Sequence, residues 1–348
     1  MRLTILVGLG LILTSTALGR TITDLAGRHV EIPDSPQRIA CLEVLCYQRL
    51  LMLHVPEKAV SRVETAAPWM ARTNPQLSRI PSFDSAPNLE EVVARRPDLA
   101  FINSSYGLSL AALDAAGIPA LVTQPVRPAR SAEEFIADAK AMVMLGGQVL
   151  GGESLALAQD WCRYFDDRLH LVQSRIAHIP QERRPRLYYV RGPEITHTTG
   201  QGGYFNWVAI LAGARMVVDD DALTGANPQI SVETLIGWNP DIIIMGRQYD
   251  PTMVLENPVL TSLSAVRQQK VWPSPVGVFF WDGGPEQVLL LQFLAKRLYP
   301  EMFADLDLAA EIRRYYARFY RTDLSDEEVR RLLDGRAPDG SRVNSMNN

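Results

Sequence analysis

The sequence predicts an α/β protein of two Rossmann-like lobes that are joined by one long, rigid α-helix. Short apolar strands alternate with helices in both halves of the chain, which is typical of parallel sheets covered by helices. A long amphipathic stretch, residues 153–179, separates the two halves. A matching phrase occurs once in each half: NLEEVVARRPD at 88–98 and ISVETLIGWNPD at 230–241. Two lobes of similar plan therefore fit the chain better than one large domain that contains a long helix.

The long helix is predicted from apolar residues that recur every three or four positions. Leu155, Phe165 and Leu169 fall on one helical face, and charged residues occupy the opposite face. Pro180 ends the stretch, because proline lacks the N–H group that a continuing helix needs. At ~1.5 Å per residue the helix spans roughly 40 Å, which is longer than a small lobe is wide. We place this bridging helix at residues 151–180.

Residues 1–19 have the features of a secretory signal peptide. Arg2 supplies a positive charge, residues 3–13 form an apolar core, and Ala17-Leu18-Gly19 is a small-residue cleavage site. We expect cleavage near residue 19 and an exported, soluble, periplasmic protein. No cysteine follows the apolar run, so a lipid anchor is not expected. No later stretch is long and apolar enough for a transmembrane helix.

The composition is that of an ordinary globular protein and excludes one class of partner. The chain has 348 residues, of which 47% are hydrophobic and 21% are charged, with a formal net charge of −4. This length is sufficient for two domains of ordinary size. A general nucleic-acid-binding surface needs an excess of basic residues, so no nucleic-acid partner is expected.

The first lobe is predicted at residues 20–150. A hairpin opens it, because residues 21–23 and 29–32 alternate around an Ala26-Gly27 turn. Asn88 is a typical N-cap, with glutamates in the first turn that follows. The apolar runs predict strands at 38–42, 59–63, 99–102 and 120–123, and the periodic segments predict helices at 45–53, 88–94, 108–116 and from 131 to about 145.

The second lobe, with the terminal helices, is predicted at residues 181–337. Its strands are expected at 186–190, 215–218, 242–245 and 271–272. Its helices are expected at 204–211, 231–236, 285–298, 308–320 and 325–333. A disordered tail is expected at 338–348, because the last few residues of a domain are poorly ordered unless other parts of the fold hold them.

Three cysteines occur in the chain, namely Cys41, Cys46 and Cys162. An odd number in an exported protein implies at least one free thiol or an intermolecular bond. Cys41 and Cys46 are close enough to pair if the turn between them allows it, and both possibilities stay open. Their spacing matches neither a zinc site nor a cluster-binding set.

Four segments carry a resemblance to a known family. They read TDLAGRHVEIPDSPQRIA, NLEEVVARRPDLAFIN, VETLIGWNPDIIIMG, and LAKRLYPEMF followed by RRYYARFYRTDLSDEEV. In this order, behind a signal peptide, they resemble the periplasmic solute-binding proteins of ABC importers whose lobes are joined by one helix, called class III. The resemblance covers nearly all of the mature chain. Relatives carry vitamin B12, ferric siderophores, haem, metal chelates, or molybdate and tungstate.

The resemblance implies that the protein captures a ligand between its lobes and delivers it to a permease in the inner membrane. It implies a monomer without an intrinsic cofactor. We expect the ligand to be an iron–siderophore, haem, a corrinoid or another metal chelate, and a molybdate or tungstate oxyanion is the alternative. An exported enzyme of chelatase type is the rival from another class. No HExxH or GxSxG motif supports an enzyme.

The resemblance also implies how the permease is contacted. Glutamates on the two lobes dock onto permease arginines, and the matching positions are Glu90 in NLEE and Glu233 in SVETL. The alternative role of each glutamate is to favour a helix N-terminus. The occurrence of one such glutamate in each half favours docking. We also expect little lobe motion, because a helical connection resists bending.

The candidate ligand residues lie in loops that follow predicted strands, where parallel sheets bind ligands. Arg191 and Arg247 are suited to an anion, although both are equally well explained as surface arginines. His197 is a candidate metal ligand, and the segment 198–203 is a candidate oxyanion loop. Aromatic side chains suit a planar ligand but also fill cores. The full set is Glu43, Tyr47, Trp69, Tyr106, Arg191, His197, Tyr204, Arg247, Tyr249 and Trp281.

Overall fold

The computed structural model describes residues 19–83, 87–103, 108–247 and 249–342. The predicted signal peptide up to residue 18 and the candidate residue Tyr106 lie outside the described residues, as do residues 343–348 of the predicted tail. Within the described part of the chain, no helix combines the length and the apolar character that a membrane span requires.

An antiparallel hairpin opens the fold, as predicted, and consists of β1 (Gly19–Thr23) and β2 (His29–Pro33). Its turn is organised by Asp24, whose carboxylate accepts hydrogen bonds from the amides of Ala26 and Arg28, each at 3.0 Å. The same carboxylate accepts the amide of Val122 at 3.0 Å. The hairpin therefore covers the edge of the first sheet, and this edge is not left open for pairing with other chains.

The first lobe is built on a five-stranded parallel sheet in the order β5-β4-β3-β6-β7. The strands are β3 (Ile39–Cys41), β4 (Ala59–Val63), β5 (Ser82–Phe83), β6 (Leu99–Ile102) and β7 (Ala120–Val122). The helices of this lobe are α1 (Cys46–Met52), α2 (Met70–Thr73), α3 (Leu89–Ala94) and α4 (Leu110–Ala115). The strand order reverses between β3 and β6, so the ligand crevice is expected beyond the carboxyl ends of these two strands.

Two antiparallel helices follow β7 and precede β8 (Arg186–Val190) in the chain. They are α5 (Ala132–Leu150) and α6 (Gly152–Ile176). The close approach needs Gly147, since a Cβ there would lie 2.5 Å from the Cβ of Ala158. The predicted bridging helix is present as α6, but α5 continues to Leu150, well beyond the predicted end near residue 145, and packs along α6.

Both connecting helices contact both lobes. At the start of α5, the Phe135 ring lies 5.8 Å from the ring of Tyr204 in the second lobe. At the start of α6, the Ser154 hydroxyl donates to the carbonyl of Leu53 at 2.9 Å. At its end, Ile176 packs on Gly213 of the second lobe. The predicted bridging helix, α6, therefore contacts both lobes, and α5 packs against it.

The second lobe contains a four-stranded parallel sheet in the order β11-β10-β8-β9. Its strands are β8 (Arg186–Val190), β9 (Arg215–Met216), β10 (Ile242–Met245) and β11 (Val271–Pro273). Its helices are α7 (Tyr204–Leu211), α8 (Val232–Trp238), α9 (Thr252–Leu255), α10 (Ser264–Arg267), α11 (Gln287–Leu298), α12 (Leu308–Tyr320) and α13 (Asp326–Leu333). The strand order reverses between β8 and β10, which places a second crevice beyond their carboxyl ends.

The C-terminal helices pack across the first lobe and add a further contact between the two lobes. The Arg72 guanidinium donates to the Glu328 carboxylate of α13 at 2.6 Å. The Trp69 indole donates to the carbonyl of Arg336 at 2.8 Å. Beyond α13, the amide of Ala337 donates to the carbonyl of Ser341 in a hydrogen-bonded turn, and Arg342 pairs with Asp250 at 3.0 Å. The disordered tail predicted at 338–348 stays a prediction.

The cysteines resolve into one pair and one free thiol. Cys41 and Cys46 form a disulfide with their Cα atoms 5.4 Å apart, which ties the end of β3 to the start of α1. Cys162 is free and buried in α6. Burial raises the pKa of the Cys162 thiol to about 11, so this thiol stays protonated and unreactive at neutral pH.

Candidate functional site

A cavity of about 420 Å³ lies between the lobes, beyond the carboxyl ends of both sheets. The second lobe contributes two arginines, an aspartate and a glycine-rich loop, and the first lobe contributes two amides and a proline-containing loop. The residues that line it are Asn103, Gln124, Pro125, Val126, Arg127, Pro128, Arg191, Thr199, Gln201, Gly202, Gly203, Tyr204, Phe205, Gly225, Ala226, Arg247 and Asp282.

Arg191 and Arg247 meet in this cavity because their strands are neighbours. Val190 pairs with Met245 in the register of β8 and β10, and the amide of Gly246 donates to the carbonyl of Val190 at 2.9 Å. Arg247 has a left-handed backbone with φ 44°, which is rare for a residue with a side chain. Its guanidinium stacks over the ring of Phe280 at 4.9 Å.

A buried aspartate holds the two arginines together. Asp282 Oδ2 accepts from Arg247 Nε at 3.0 Å and from the Tyr189 hydroxyl at 2.8 Å, and it lies 3.5 Å from Arg191 Nε. Burial alone would raise the pKa of Asp282, but the charges of Arg247 and Arg191 hold it below its usual value. The cluster of two arginines and one carboxylate keeps a net positive charge, which favours an anion.

The glycine-rich loop 198–203 leads into α7 and forms one wall of the cavity. The Thr198 hydroxyl donates to the carbonyl of Tyr189 at 2.7 Å, and the Thr199 hydroxyl donates to Asn206 Oδ1 at 2.6 Å. Gly202 has φ +78°, and a Cβ there would lie 3.2 Å from the carbonyl oxygen of Ala129 in the first lobe. The loop therefore brings the start of α7 to the cavity, where the helix dipole favours negative charge.

The first-lobe wall is a chain of hydrogen bonds that begins at a buried ion pair. Glu43 pairs with Arg49, and both side chains are almost fully buried. The Gln124 amide donates to Glu43 Oε2 at 2.5 Å, and the Asn103 amide donates to Gln124 Oε1 at 2.8 Å. Both oxygens of Glu43 accept hydrogen bonds from buried groups of the first lobe. Glu43 therefore does not face the cavity itself but positions Gln124, which in turn positions Asn103.

The structure brings three of the predicted ligand residues into one cavity: Arg191, Tyr204 and Arg247. Three predicted aromatic contacts lie in the core instead, namely Tyr47, Trp69 and Trp281, each at most 2% exposed. Tyr47 hydrogen-bonds Asn74, and burial raises the pKa of its hydroxyl to about 12. Large aromatic side chains gain more from burial than from an open cleft, which explains why these three lie in the core.

The remaining candidates do not line the cavity. The His197 ring packs against Gly192 and lies 4.0 Å from Glu194, and Tyr249 packs on the core. In the described ranges, no group of histidine, cysteine and carboxylate side chains is arranged to hold a metal ion. The segment Phe279-Phe280-Trp281 directly precedes Asp282. All three side chains are buried, and the two phenylalanines lie beneath Arg247.

Asp282, Asn103, Gln124 and Arg127 line the cavity but are absent from the predicted site. Asn103 and Gln124 follow strands β6 and β7 closely, so strand ends were a usable signal for them. Asp282 lies in an irregular loop 35 residues from Arg247, and no local pattern connects the two.

A larger cavity, of about 1150 Å³, lies at the opposite edge of the second sheet. It is lined by the amino-terminal ends of β8 and β10, including Arg186 and Ile242, and by the end of α11. Parallel sheets bind ligands beyond the carboxyl ends of their strands. We therefore take the smaller cavity between the lobes as the candidate functional site.

Both predicted docking glutamates are exposed at helix starts. Glu90 lies in the first turn of α3 after the N-cap Asn88, and Glu233 lies in the first turn of α8 after the N-cap Ser231. Hydrogen bonds from its own backbone amide and from Ser231 hold the pKa of Glu233 below its usual value. α3 precedes β6 and α8 precedes β10, and each helix runs antiparallel to the strand that follows it. The start of each helix, with its glutamate, therefore lies at the carboxyl edge of the sheet, where the cavity opens.

The site is thus a cavity between two α/β lobes, with two arginines and the start of a helix in its lining. Residues 39–274 match the family model described as periplasmic binding protein, and the chain belongs to that family. It is accordingly a substrate-binding protein of the ABC transporter type and not an enzyme, as the sequence predicts.

Three relatives illustrate the similarity. The molybdate-binding protein MolA of Haemophilus influenzae is 25% identical over 339 residues, which cover 91% of this chain and 95% of that protein. The structure of MolA bound to molybdate has a TM-score of 0.77 at 22% identity, over 88% of this chain and 99% of that one. A periplasmic solute-binding protein from Veillonella parvula has a TM-score of 0.78 at 21% identity, over 91% and 98% of the two chains.

The third relative, after MolA and the Veillonella protein, has a different ligand bound in its structure. Helicobacter pylori CeuE with Ni(II) bound has a TM-score of 0.70 at 18% identity, over 90% of this chain and 99% of that one. At identities this low, the structural similarities establish the fold alone. They confirm the predicted class III architecture of two lobes connected through a long helix.

Proposed function

We propose that this protein is the periplasmic component of an ABC importer and captures a small oxyanion, such as molybdate or tungstate, between its lobes. The observation that carries the proposal is the convergence of Arg191 and Arg247 on one cavity next to the start of α7. Two planar guanidinium groups and a helix N-terminus all favour a compact negative charge.

The size and lining of the cavity support an oxyanion over the larger ligands that the sequence suggested first. A volume of about 420 Å³ is near the lower end of the range for small-molecule sites. Trp69 and Trp281 are buried, so the aromatic platform expected for haem or a corrinoid is not available. The similarity to MolA over most of both chains points to the same class of ligand.

A small anionic metal chelate is the second candidate. The cavity is larger than a tetrahedral oxyanion requires, and Tyr204 and Phe205 add an aromatic side to its lining. A negatively charged chelate would use the same two arginines and would place its organic part against these rings. The two candidates differ in whether the metal is presented as an oxyanion or inside an organic shell.

Delivery to a permease is supported by the placement of Glu90 and Glu233. Both carboxylates are exposed, one on each lobe, at the edge of the sheets where the cavity opens. A permease that contacts both would sit over the cavity and receive the ligand directly. The predicted signal peptide supports a periplasmic location.

The test is a calorimetric titration of the purified protein with molybdate, tungstate, sulfate, phosphate and a ferric siderophore. We expect molybdate and tungstate to bind, and Arg191→Gln and Arg247→Gln each to weaken binding by tenfold or more, roughly 1.4 kcal/mol or more per lost charged hydrogen-bond pair. Arg163→Gln is the matched control, because its side chain is exposed on α6 far from the cavity. Binding of the siderophore alone would select the second candidate, and no binding of any anion would overturn both.

A further inference from the structure

A fully buried carboxyl group lies where the two lobes meet. Glu286 precedes α11, and its oxygens accept the amide of Phe279 at 2.9 Å and the hydroxyl of Tyr316 at 2.5 Å. They also accept the amide of Val278 at 3.3 Å and the side-chain amide of Gln48 at 3.0 Å. Gln48 belongs to α1 of the first lobe, so this one carboxyl group connects the two lobes.

Glu286 has no cationic partner among the described residues. The titratable groups that face it are Tyr315, Tyr316 and Tyr320 of α12, and the amide that reaches it from α1 is uncharged. Burial raises the pKa of Glu286 to about 7, and the hydrogen bonds from Tyr316 and from the backbone offset only part of this effect. The group therefore exchanges its proton near neutral pH.

The loop that folds over Glu286 is the one that carries Asp282. Gly277 is required at its start, because a Cβ there would lie 2.2 Å from Glu286 Oε1 and 2.4 Å from the Tyr316 hydroxyl. A Cβ at Gly284 would lie 2.4 Å from Gln48 Oε1. The segment 277–286 thus packs closely around the carboxyl group of its own Glu286 and against α1, and any movement of the segment moves Asp282, which contacts both cavity arginines.

The other wall of the cavity depends on the same helix. Arg49 follows Gln48 in α1 and holds Glu43, which in turn holds Gln124 at the cavity. Glu286 therefore contacts, through Gln48 and through segment 277–286, the supports of both cavity walls.

We propose that Glu286 is a positioning residue for ligand capture, and that its protonated form holds the cavity arginines and the first-lobe wall in their anion-binding arrangement. The protonated carboxyl donates its O–H to the Tyr316 hydroxyl and still accepts the amides of Phe279 and Gln48. The ionised form places a full charge in the interior without a counter-ion, which is costly and displaces segment 277–286. The inference rests on the proposed binding of an oxyanion by Arg191 and Arg247.

The test measures molybdate affinity by calorimetry between about pH 6 and pH 8.5, a window that brackets the proton exchange of Glu286. We expect the Kd of the unmodified protein to rise about fivefold or more across this window, while Glu286→Gln holds it within about twofold. Glutamine resembles the protonated carboxyl group and carries no charge. An equal rise in Glu286→Gln would overturn the inference and leave the proposed function standing.

Two further variants separate the titration of Glu286 from that of other groups. Histidine side chains commonly change charge near neutral pH, so His197→Gln is the control and should retain the full pH dependence. Tyr316→Phe removes a donor that favours ionisation, so it should move the midpoint of the affinity change to higher pH. A midpoint that stays in place in Tyr316→Phe, or a pH dependence abolished by His197→Gln, would overturn the inference.

The ligand-free protein supplies an independent readout. A carboxyl group whose folded-state pKa lies above its unfolded value stabilises the fold fully below the unfolded value, and this stabilisation is lost as pH rises through the folded value. The melting temperature should therefore fall between about pH 5 and pH 8 more steeply in the unmodified protein than in Glu286→Gln. If no oxyanion binds at any pH, the proposed function fails, and equal slopes in the two proteins would overturn the role of Glu286 separately.

Discussion

The carbonyl of Val190 accepts the amide of Gly246 at 2.9 Å, and this one bond sets Arg191 and Arg247 side by side where β8 and β10 end. Both arginines leave the sheet immediately after its topological switch point, where open α/β sheets bind ligands. The pairing of the two arginines at the cavity therefore arises from strand register, because a shift of one residue in either strand would turn one guanidinium away.

Gly246 is predicted to be essential for this arrangement. A Cβ at position 246 would lie 2.3 Å from the Tyr189 hydroxyl, which cannot retreat because it donates to Asp282. Gly246→Ala should lower the melting temperature and weaken anion binding together. Gly237→Ala is the matched control: a Cβ there has open space within α8, and alanine should stabilise the helix by up to about 1 kcal/mol. Unchanged binding in Gly246→Ala would contradict the prediction, because it would show that a side chain at position 246 does not disturb the pairing of β8 with β10.

The buried pair of Glu43 and Arg49 is predicted to be costly to break. Arg49→Met leaves the Glu43 carboxylate without its cation in the core and should cost about 3–5 kcal/mol of unfolding free energy. Urea unfolding measures this change. Arg163→Met removes an exposed arginine and should change stability by about 0.5 kcal/mol or less. A similar loss in both variants would mean that the buried pair contributes nothing specific.

The Cys41–Cys46 disulfide should stabilise the fold by about 2 kcal/mol, as expected for a short loop closed by a bridge. The double variant Cys41→Ala with Cys46→Ala should therefore melt at a lower temperature than the oxidised protein, whereas the addition of reductant should leave the variant unaffected.

Thiol titration of the native, oxidised protein should detect no reactive group, and one should appear after unfolding, from buried Cys162. Three thiols after unfolding without reductant would exclude the bridge.

The apolar face of α6 is predicted to hold the connection together. Phe165 is 2% exposed and Leu169 is 8% exposed. Phe165→Ala should cost about 3–5 kcal/mol of unfolding free energy, because it leaves a cavity beneath the helix. Asp167→Ala on the exposed face is the control and should have little effect. Equal melting temperatures for the two variants would mean that the face does not support the lobes.

Docking to the permease is predicted to depend on one carboxylate from each lobe. The double variant Glu90→Lys with Glu233→Lys should abolish uptake of molybdate into cells while leaving its Kd unchanged, since both side chains are exposed and neither lines the cavity. Glu91→Lys, in the same turn of α3, is the charge-matched control and should preserve uptake. Uptake that survives the double reversal would contradict the docking assignment.

Strands were predictable where an apolar run is bounded by strong local signals. β6 (Leu99–Ile102) and β10 (Ile242–Met245) follow proline–aspartate steps and match the predicted bounds to the residue. The predicted end of α5 was wrong, because the chain continues through Gly146-Gly147, where a local criterion sees helix-weakening glycines. The glycines remain helical because they allow α5 and α6 to approach closely, and the contact between the two helices stabilises this part of α5.

The sequence by itself determined two α/β lobes, a long helix between them, and two arginines placed just beyond strand ends, since each follows from local periodicity and from the residues that bound it. Only the tertiary structure decided which side chains face the cleft. Tyr47, Trp69 and Trp281 turned into the core, and Asp282 came to lie between Arg191 and Arg247. The reason is physical: the position of a residue after a strand sets where its Cα lies, whereas the direction of its side chain depends on which distant segments pack against that position.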